Sequence, residues 1–447
     1  MLNQNVKTYV LDTSVLIHSP SALLAFEENS IIIPYSVLND LGKLKARPGE
    51  IGANAKECNR MLSSLCAESK TRISDGIKTA DGGTLRVEGT ADESPIQICL
   101  NHEGSILVTQ DENQRVKANV AGVKAESYKH GQVNIKNGGY TGRACVMVSS
   151  AKLSEYASKG ELPLSDVHSA YNSDNEEVTL IENQFVIIQN ASDPSHTMLG
   201  RVSGNKIVKL RYVTNSPVFG VQPRNVGQRF ALEALLAPAS EAPLVILKGP
   251  AGTAKTFLAM AAGLQQTYEQ NPQYKRILVS RPNTKFDDDI GYLKGDEQEK
   301  IGPLIRPIMD NLSNLMPTKP SDMTKDGQRM NDPATDLFNN GVIVAQAMAY
   351  MRGRSICDNY IVIDEAQNAS VNQILGLITR VGEGSKIVIL GDPDQIDHPY
   401  LDRLSNGLSF ASEHMKGSPL CWQLTFEESE CTRSKLAAEA IARLTQD

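Results

Sequence analysis

Short apolar runs alternate with longer mixed segments along most of this 447-residue chain. Residues 244–247, 360–363 and 387–390 are apolar without interruption and rich in β-branched side chains. Such runs mark strands that are covered on both faces, as in parallel sheets flanked by helices. The pattern therefore predicts an α/β fold, with strands and helices alternating in the C-terminal half and again near the N-terminus.

The segment between these two parts has a different pattern. Residues 161–177 are polar and rich in Ser, Asp and Asn, which is typical of a linker or a long hairpin loop. Residues 185–188, 200–203 and 206–213 then predict β-hairpins, with a turn at Gly204. We expect a small β module here, or an extension that packs on one of its neighbours.

Length and apolar content set the number of domains. Domains of about 100–200 residues are common, so a chain of 447 residues that is 40% hydrophobic predicts two or three of them. We place an N-terminal α/β domain at residues 1–146, a linker with the β module at 147–220 and a second α/β domain at 221–447.

A phosphate-binding loop follows the first uninterrupted apolar run of the C-terminal half. Gly249 and Gly252 let the loop fold around an anion. Lys255 can reach the β- and γ-phosphates, and Thr256 can bind Mg²⁺ at the start of an apolar helix. Ala254 replaces the last glycine of the usual pattern, and we expect it to adopt a helical conformation without loss of the site. The residues predicted to hold the nucleotide are Gly249, Pro250, Ala251, Gly252, Thr253, Ala254, Lys255 and Thr256.

Acidic residues follow the next two predicted strands of this half. Asp364 and Glu365 end one strand, and the acidic turn after the other contains Gln395. Ligands of parallel sheets bind beyond the carboxyl ends of the strands, so we expect Asp364 to hold Mg²⁺ and Glu365 to activate the attacking water. Gln395 would sense the γ-phosphate. Acids that are merely solvated also end strands in other proteins. Asp364, Glu365 and Gln395 in this order after a phosphate loop nevertheless favour an ATPase or GTPase.

Acidic residues also follow the N-terminal strands. Asp12 comes directly after an apolar run, and Asp111 follows the apolar run at 106–108 by three residues. Asp40 lies on a predicted helix, and Glu93 precedes a short apolar one. Acids around one pocket repel each other and are usually held together by divalent metal ions, which can activate water for phosphodiester hydrolysis. We therefore predict metal ligands and catalytic residues at Asp12, Asp40, Glu93 and Asp111.

Several further motifs lie in the C-terminal half, and their combination is specific. They are Asn225-x-x-Gln228 and the short segments at residues 280–282, 290–295, 351–354, 363–368, 379–380 and 391–397. Over residues 221–447 this combination resembles the PhoH-type ATPases. The resemblance implies a RecA-like core that binds ATP, with Asn225 and Gln228 reading the adenine as in superfamily 1 helicases. It also implies single-stranded RNA as the polymer and a homo-oligomeric, hexameric ring.

An ATPase with a single core needs a cation to neutralise the charge that develops in phosphoryl transfer, and arginine usually supplies it. Arg380 ends a predicted helix, from which it could reach a neighbouring subunit. Arg433 resembles the last arginine motif of the helicases, and Arg281 is a third candidate. Arg380 and Arg433 could instead form surface ion pairs, and the sequence does not decide between them.

The N-terminal motifs form a second set. Leu-Asp-Thr-x-Val-Leu at residues 11–16 and Val-Thr-x-Asp-x-Asn at 108–113 resemble the PIN-domain ribonucleases over residues 6–130. The resemblance implies cleavage of RNA with Mg²⁺ or Mn²⁺. Asp40 and Glu93 depart from it, because the family commonly has glutamate at the first position and aspartate at the second. Since each swap changes the reach by one methylene, the domain could instead grip RNA without cutting it.

The overall charge is acidic but uneven. A net charge of −7 and a pI of about 5.7 count against a generally basic nucleic-acid-binding protein. Residues 113–152 and 195–230 are nevertheless rich in Lys and Arg, and Glu126 is the single acidic residue in the two stretches. Such stretches bind phosphates in some proteins and are ordinary solvated surface in others.

Cysteine usage and hydropathy bear on the compartment. The seven cysteines lack a Cys-x-x-Cys pair and zinc-like spacing, which indicates a reducing environment. No apolar stretch reaches the ~20 residues of a membrane span, so no membrane partner is expected. Asp12 interrupts what would be the apolar core of a signal peptide. We expect a cytoplasmic protein.

These features together predict an ATP-dependent RNA helicase or translocase coupled to a metal-dependent endoribonuclease that acts on single-stranded RNA. One alternative is an ATP-driven binding and remodelling protein whose PIN-like domain grips nucleic acid without cleaving it. Another is a DNA-directed translocase, because metal-dependent phosphodiester hydrolysis needs no 2′-hydroxyl.

Overall fold

A computed structural model describes the chain at residues 6–47, 49–69, 71–79, 82–128, 139–167, 169–172, 175–269, 271–282, 297–316, 333–351, 355–398 and 401–432. These residues form three six-stranded β-sheets with helices packed against them. The chain divides into two compact units. The first contains mainly residues up to Gly131, and the second contains most of the remaining chain, including two of the three sheets.

The first unit is built on a sheet of order β3-β4-β2-β1-β5-β6, in which only the β3–β4 pair is antiparallel. Its strands are β1 (Thr8–Leu11), β2 (Ser30–Pro34), β3 (Ile77–Lys78), β4 (Thr84–Glu88), β5 (Ile106–Val108) and β6 (Lys124–Glu126). Its helices are α1 (Thr13–His18), α2 (Tyr35–Leu44), α3 (Gly49–Glu68), α4 (Pro95–Asn101) and α5 (Glu112–Val120).

Successive strand residues of this unit pack on opposite faces, as the period of a strand requires. Leu11 and Ile31 are buried against α1, α2 and α3, whereas Val10 and Ile32 are buried against α4 and α5. Both faces are therefore covered, which explains the uninterrupted apolar runs. The carboxyl ends of the parallel strands β1, β2, β4 and β5 meet at one edge of the sheet.

A second sheet, of order β8-β12-β11-β10-β7-β9, opens the second unit, and only β7 and β10 pair in parallel. Its strands are β7 (Arg143–Val148), β8 (Glu161–Pro163), β9 (Ser169–Tyr171), β10 (Phe185–Asn190), β11 (Asp193–Ser203) and β12 (Lys206–Lys209), and α6 (Ser150–Lys159) packs on it. The sheet thus begins at Arg143, ahead of the predicted boundary at residue 146.

Two sequence interpretations of this region were wrong. Residues 161–177, predicted to be a linker or loop, supply the edge strands β8 and β9, which are too short to show an alternating pattern. The strand predicted at 206–213 ends at Lys209. Its continuation leaves the sheet because three successive backbone N–H groups, those of Arg211, Tyr212 and Val213, donate to the Glu233 carboxylate at 2.7–2.8 Å.

The third sheet is entirely parallel and has the order β15-β14-β16-β17-β13-β18. Its strands are β13 (Leu244–Lys248), β14 (Arg276–Ser280), β15 (Ile343–Ala345), β16 (Asn359–Ile363), β17 (Lys386–Gly391) and β18 (Cys421–Thr425). Its helices are α7 (Val226–Leu236), α8 (Lys255–Thr267), α9 (Glu297–Leu315), α10 (Pro333–Asn339), α11 (Met348–Met351), α12 (Val371–Ile378) and α13 (Gly407–His414).

The second sheet packs against the third through buried polar contacts. The Arg201 guanidinium lies 3.9 Å from the ring centre of Trp422 on β18, and Asn183 Nδ2 donates to the carbonyl of Ser418 at 2.9 Å. Phe185 on β10 stacks on Phe230 of α7 with ring centres 4.8 Å apart. The β module is therefore an extension that packs on its C-terminal neighbour, one of the two arrangements that the sequence left open.

The chain just before β7 is joined to the base of the phosphate loop. Lys248, the last residue of β13, is buried, and its Nζ donates to the carbonyl of Tyr140 at 2.9 Å. Thr425 N donates to the carbonyl of Thr141 at 2.7 Å. Gly142 follows with φ +74°, and a Cβ there would overlap the Gln423 carbonyl. These contacts hold residues 140–142 beside β13 and β18.

A lysine closes the end of α7. Lys386, at the start of β17, is fully buried, and its Nζ donates to the carbonyls of Ala234, Leu235 and Ala237 at 2.6–3.2 Å. The last carbonyls of a helix have no partner within it, and this side chain supplies donors to three carbonyls at the end of α7. The carbonyl of Leu235 also accepts from Gln266 Nε2 at 3.0 Å. Burial lowers the pKa of Lys386 to about 7.

The cysteines form no disulfide bonds, and the described helices include no membrane span. The seven cysteines are free thiols. Within the described ranges, no helix is both long and apolar enough to cross a membrane.

Candidate functional site

The phosphate loop connects β13 to α8, as the sequence predicts. Gly249 has φ +135° and Gly252 has φ +88°, conformations that side chains with a Cβ rarely adopt. A Cβ on Gly249 would also lie 2.8 Å from that of Phe426. The Lys255 ammonium donates to the carbonyls of Gly249 at 2.6 Å and Pro250 at 3.0 Å. The lysine thus lies across the loop in which phosphates would bind.

Ala254 does not have the expected helical conformation. It is the N-cap of α8, with φ 69° and ψ 24°, so that prediction was wrong. The chain has to enter the left-handed region to turn from the loop into the helix, whichever residue is present. A Cβ in that region costs roughly 1–2 kcal/mol, which glycine would not incur.

Replacing Ala254 by Gly should therefore raise the free energy of unfolding by about 1 kcal/mol, because the strain of the left-handed residue is relieved. Chemical denaturation of the whole protein would measure the change. Ala261→Gly, in the middle of α8, is the matched control and should lower stability by about 1 kcal/mol or more. A loss of stability in both variants would contradict the assignment of strain to Ala254.

Thr256 and Asp364 meet at the carboxyl edge of the third sheet. Thr256 Oγ1 donates to Asp364 Oδ1 at 2.9 Å, and Asp364 is only 6% exposed. Burial raises the pKa of Asp364; the charge of Arg281 opposes this change and that of Glu365 adds to it. A hydroxyl and a buried carboxylate side by side are oxygen ligands of the kind that Mg²⁺ takes, so the pair fits that ion.

Glu365 is held by two side chains at the same edge. Arg281 Nη2 donates to Glu365 Oε1 and Gln367 Nε2 donates to Oε2, both at 2.6 Å. Arg281 follows β14 directly and Glu365 lies just beyond β16, the neighbouring strand, so the sheet register brings them together. The backbone of Glu365 is left-handed, with φ 53°. A strained residue at a strand end is common where a side chain is aimed into a site.

The other candidate residues have different positions. The side chain of Gln395 is exposed, whereas its backbone carbonyl accepts a hydrogen bond from Gln367 Nε2 at 2.8 Å. Arg380 is exposed at the amino end of the sheet, where its carbonyl pairs with Ile356. The phosphate loop lies at the other end of β17, a six-residue strand of about 17–20 Å. Arg433 lies outside the described residues.

Asn225 and Gln228 lie at the start of α7. Asn225 is its N-cap and accepts from Gln228 N at 2.8 Å, while Gln228 Oε1 accepts from Arg224 N at 2.9 Å. Asn225 Nδ2 donates to the carbonyl of Glu430 at 3.0 Å. The pair is thus fixed against the segment that follows β18.

The acids of the first unit lie around the carboxyl edge of its sheet. Asp12 Oδ2 accepts from Ser14 Oγ at 2.6 Å and from Thr109 Oγ1 at 2.8 Å, and Thr109 Oγ1 in turn accepts from Asp111 N at 3.1 Å. Asp40 on α2 lies 3.4 Å from Thr13 Oγ1. Asp12 and Asp111 are therefore linked through Thr109, and Asp40 contacts Thr13, the residue that follows Asp12.

These acids do not converge on one point. Asp111 caps α5, Asp40 pairs with Lys43 at 3.3 Å, and Glu93 Oε2 turns back to accept from Thr90 N at 2.7 Å. In the part of the chain that the structure describes, no group of three or more His, Cys, Asp or Glu side chains could hold one metal ion. The predicted four-acid metal site is not assembled in this arrangement.

Known proteins resemble the chain over both units. The family model of PhoH-like proteins matches residues 220–445, and that of the PIN domain matches residues 9–129. Protein PhoH2 of Bacillus subtilis is 37% identical over 459 residues, which cover 96% of this chain and 98% of the relative. Protein PhoH2 of Mycolicibacterium smegmatis is 31% identical, and the alignment covers 98% of this chain and 97% of that relative. This chain belongs to the two-domain PIN–PhoH family.

The family assignment confirms two predictions. The chain has the expected resemblance, and its α/β fold consists of a PIN domain followed by a P-loop ATPase domain of the PhoH type. A shorter PhoH-like protein of Bacillus subtilis, 33% identical, aligns with 49% of this chain and 63% of its own length. The roles of the individual site residues stay predictions.

Gln367 of the PhoH-like domain is a residue whose place in the site the sequence did not reveal. It is fully buried and contacts Glu365 and Gln395 through Nε2, while its Oε1 accepts from Asp392 N at 3.1 Å. A Cβ on Gly391 would overlap Oε1, so the close approach needs that glycine. Gln367 therefore links the ends of β16 and β17. A glutamine two residues after Glu365, within the motif at 363–368, was the available signal.

Of the eleven Lys and Arg residues that the structure describes in the two Lys- and Arg-rich stretches, the following six are buried or form ion pairs. Arg143 and Arg201 are buried. Lys124, Lys152, Lys206 and Arg211 form ion pairs with Glu126, Asp166, Glu161 and Glu241 respectively. These contacts favour a structural role for both stretches over a phosphate-binding surface.

Proposed function

We propose that this PIN–PhoH protein is an ATP-dependent translocase or helicase that acts on single-stranded RNA. The observation that carries the proposal is the contact of Thr256 with Asp364 at the phosphate loop, with Glu365 next to it. A loop for phosphates, a pair of Mg²⁺ ligands and a carboxylate near water are the parts that ATP hydrolysis requires. The helicase-like motifs and the PIN domain support a nucleic acid, and RNA in particular, as the polymer.

Each residue at this site has a distinct role in the proposed hydrolysis of ATP. Backbone N–H groups of the loop and the N-terminus of α8 bind the phosphates, and Lys255 exchanges the carbonyls of Gly249 and Pro250 for the β- and γ-phosphate oxygens. Thr256 and Asp364 would hold Mg²⁺, which when bound neutralises charge on the phosphate oxygens. Glu365 orients a water molecule and accepts its proton.

The test is ATP turnover with and without single-stranded RNA, and with DNA of the same sequence. RNA should stimulate hydrolysis more than DNA does. Lys255→Ala should lower kcat/KM by about 100-fold or more, because the charge on the β- and γ-phosphates loses its cation. Lys275→Ala, an exposed lysine at the amino end of β14, should match the wild type. Wild-type turnover by Lys255→Ala would refute the site, and equal or stronger stimulation by DNA would refute the choice of RNA.

We further propose that copies of the chain assemble into a ring, with Arg380 completing the ATP site of a neighbour. Arg380 and its own phosphate loop lie at opposite ends of the sheet, which supports a role between copies. Sedimentation with and without ATP would measure the assembly. A protein that stays monomeric at all concentrations would exclude the ring.

RNA cleavage by the PIN domain is a second candidate function. It is favoured by Asp12, which is 9% exposed at the carboxyl edge of the sheet and linked through Thr109 to Asp111. Because the acids do not converge as arranged here, we derive no cleavage step through a metal ion. The alternative, a PIN domain that grips RNA, uses the same edge without chemistry.

Cleavage of end-labelled single-stranded RNA with Mg²⁺ or Mn²⁺ separates these two functions. If the PIN domain cuts, Asp12→Asn should lower the rate at least about 100-fold, since it removes the charge of the most buried of the four acids. Asp75→Asn, an exposed acid of the same domain, should leave the rate unchanged. No scission by the wild type in either ion, with ATPase activity intact, would favour gripping.

A further inference from the structure

A buried ion pair connects the second sheet to the edge of the nucleotide site. Arg143 Nη1 and Nη2 donate to the two carboxylate oxygens of Glu430 at 2.7 and 3.2 Å. The two side chains are only 6% and 7% exposed. Glu430 lies in the segment that follows β18, which is called here the clasp (residues 427–432). We propose that Arg143 is a positioning residue that sets the affinity for ATP by holding the clasp in place.

The clasp contacts both parts of the predicted nucleotide site. Thr432 donates to the Gly252 carbonyl through its backbone N at 2.9 Å and through Oγ1 at 3.1 Å. Cys431 Sγ lies 3.5 Å from the Ala251 carbonyl. The carbonyl of Glu430 accepts from Asn225 Nδ2 at 3.0 Å. One short segment thus borders the phosphate loop and the predicted adenine-reading residue.

Glu430 fixes the clasp to the start of α7. Its Oε1 accepts from Gly227 N at 2.7 Å, and its Oε2 accepts from Glu427 N at 3.0 Å. A Cβ on Gly227 would overlap this carboxylate, so the helix approaches it as closely as a glycine allows. The helix N-terminus contributes part of a positive charge, but Arg143 supplies the full one.

The energetic consequence follows from burial. A buried carboxylate that loses its cation is costly, and the cheapest response is to move towards water. Glu430 cannot do so without moving the clasp, because it is bonded to Glu427 within that segment. Movement would break the contacts of Thr432 with Gly252 and of Glu430 with Asn225. Asp364 and Glu365 lie on other strand ends, so binding should suffer and the chemical step should not.

This inference rests on the proposed ATPase function, and Arg143→Gln tests it. The KM for ATP and the dissociation constant of a fluorescent ATP analogue should rise about tenfold, with kcat within twofold of the wild type. Arg201→Gln is the matched control. Arg201 is an equally buried arginine of the same sheet, but it stacks on Trp422 and bonds to Asn183, away from the clasp. Both variants should lose thermal stability, whereas only Arg143→Gln should lose nucleotide affinity.

Two outcomes would overturn the inference. One is an unchanged KM in Arg143→Gln, and the other is an equal rise in both variants, which would indicate general destabilisation. If Arg143→Gln does not fold, Arg143→Lys decides. Lysine keeps the charge but cannot bind both carboxylate oxygens as a guanidinium does, so the KM for ATP should rise about threefold. An unchanged KM in Arg143→Lys would overturn the inference. A wild type without ATPase activity would refute the proposed function itself, a result distinct from these.

Discussion

Replacing Glu365 by Gln should lower kcat for ATP hydrolysis about 100-fold or more and leave ATP binding within about threefold of the wild type. A general base contributes roughly 10²–10⁴ to a rate, and glutamine is too weak a base to take the proton of water. The substitution preserves the shape and the contact with Gln367. The variant should accumulate as an ATP-bound protein, which rapid filtration with labelled ATP would detect.

The matched control for this variant is Glu383→Gln. Glu383 is an exposed carboxylate at the amino end of β17, so the same change there should leave kcat and binding unaltered. Near-wild-type turnover by Glu365→Gln would show that another group takes the proton. If Glu365→Gln loses both ATP binding and turnover, the Arg281–Glu365 ion pair is instead needed to form the site.

Replacing Lys386 by Met should lower the free energy of unfolding by about 2–4 kcal/mol at pH 8.5. Two carbonyls at the end of α7, those of Ala234 and of the C-cap Ala237, would lose this donor, and an unsatisfied buried group costs about 1–3 kcal/mol. The carbonyl of Leu235 keeps a donor in Gln266 Nε2. Urea denaturation would measure the loss, and Lys275→Met, on an exposed lysine, should change stability little.

The sign of the pH dependence is also fixed. Burial lowers the pKa of Lys386 from 10.5 to about 7, so between these values the native protein has lost a proton that the unfolded chain retains. Stability therefore rises with pH across this window and is lowest below pH 7. The loss caused by Lys386→Met should accordingly be smaller at pH 6.5 than at pH 8.5. A loss that is larger at pH 6.5 would show that the buried lysine stays charged.

The sequence predicts the strands of the two α/β domains well, because both faces of their sheets are covered. Short apolar runs rich in β-branched residues, such as 360–363 and 387–390, are typical of strands buried on both faces. The order of loop and acids along the chain predicted a Mg²⁺ ligand at Thr256 and another at Asp364, and these residues are in contact because parallel strands end at one edge. Residue type and topology together determine that contact.

Features that depend on distant partners could not be predicted in this way. The strand 206–213 is interrupted by Glu233, a residue on another element, and β8 and β9 exist only through their neighbours. Ala254 has a left-handed backbone because of the path of the chain and despite its own preference. Lys386 resembles an ordinary strand residue until the end of α7 is placed beside it.

The PIN acids show a different limit. Sequence motifs place Asp12, Asp40 and Asp111 at one edge, but the direction of each carboxylate depends on the nearest backbone N–H or cation. Asp111 serves as a helix cap and Glu93 bonds within its own turn. Such local hydrogen bonds compete with a shared ion for the same oxygens. The sequence therefore predicts which acids lie at this edge of the sheet, but it does not predict whether their carboxylates converge on one point.

The contact of Lys248 with Tyr140 bears on how the protein can be divided. A fragment that begins at residue 147 or 221 would discard the carbonyl that accepts from this buried ammonium, together with the residues beside β18. The cut would leave a charge without its acceptor directly below the phosphate loop. The smallest PhoH-type fragment that folds by itself should therefore start near residue 139, ahead of the boundary predicted at residue 146. Exchanging PIN and PhoH halves between relatives at residue 146 would separate residues 140 and 141 from the strands β13 and β18 that they contact.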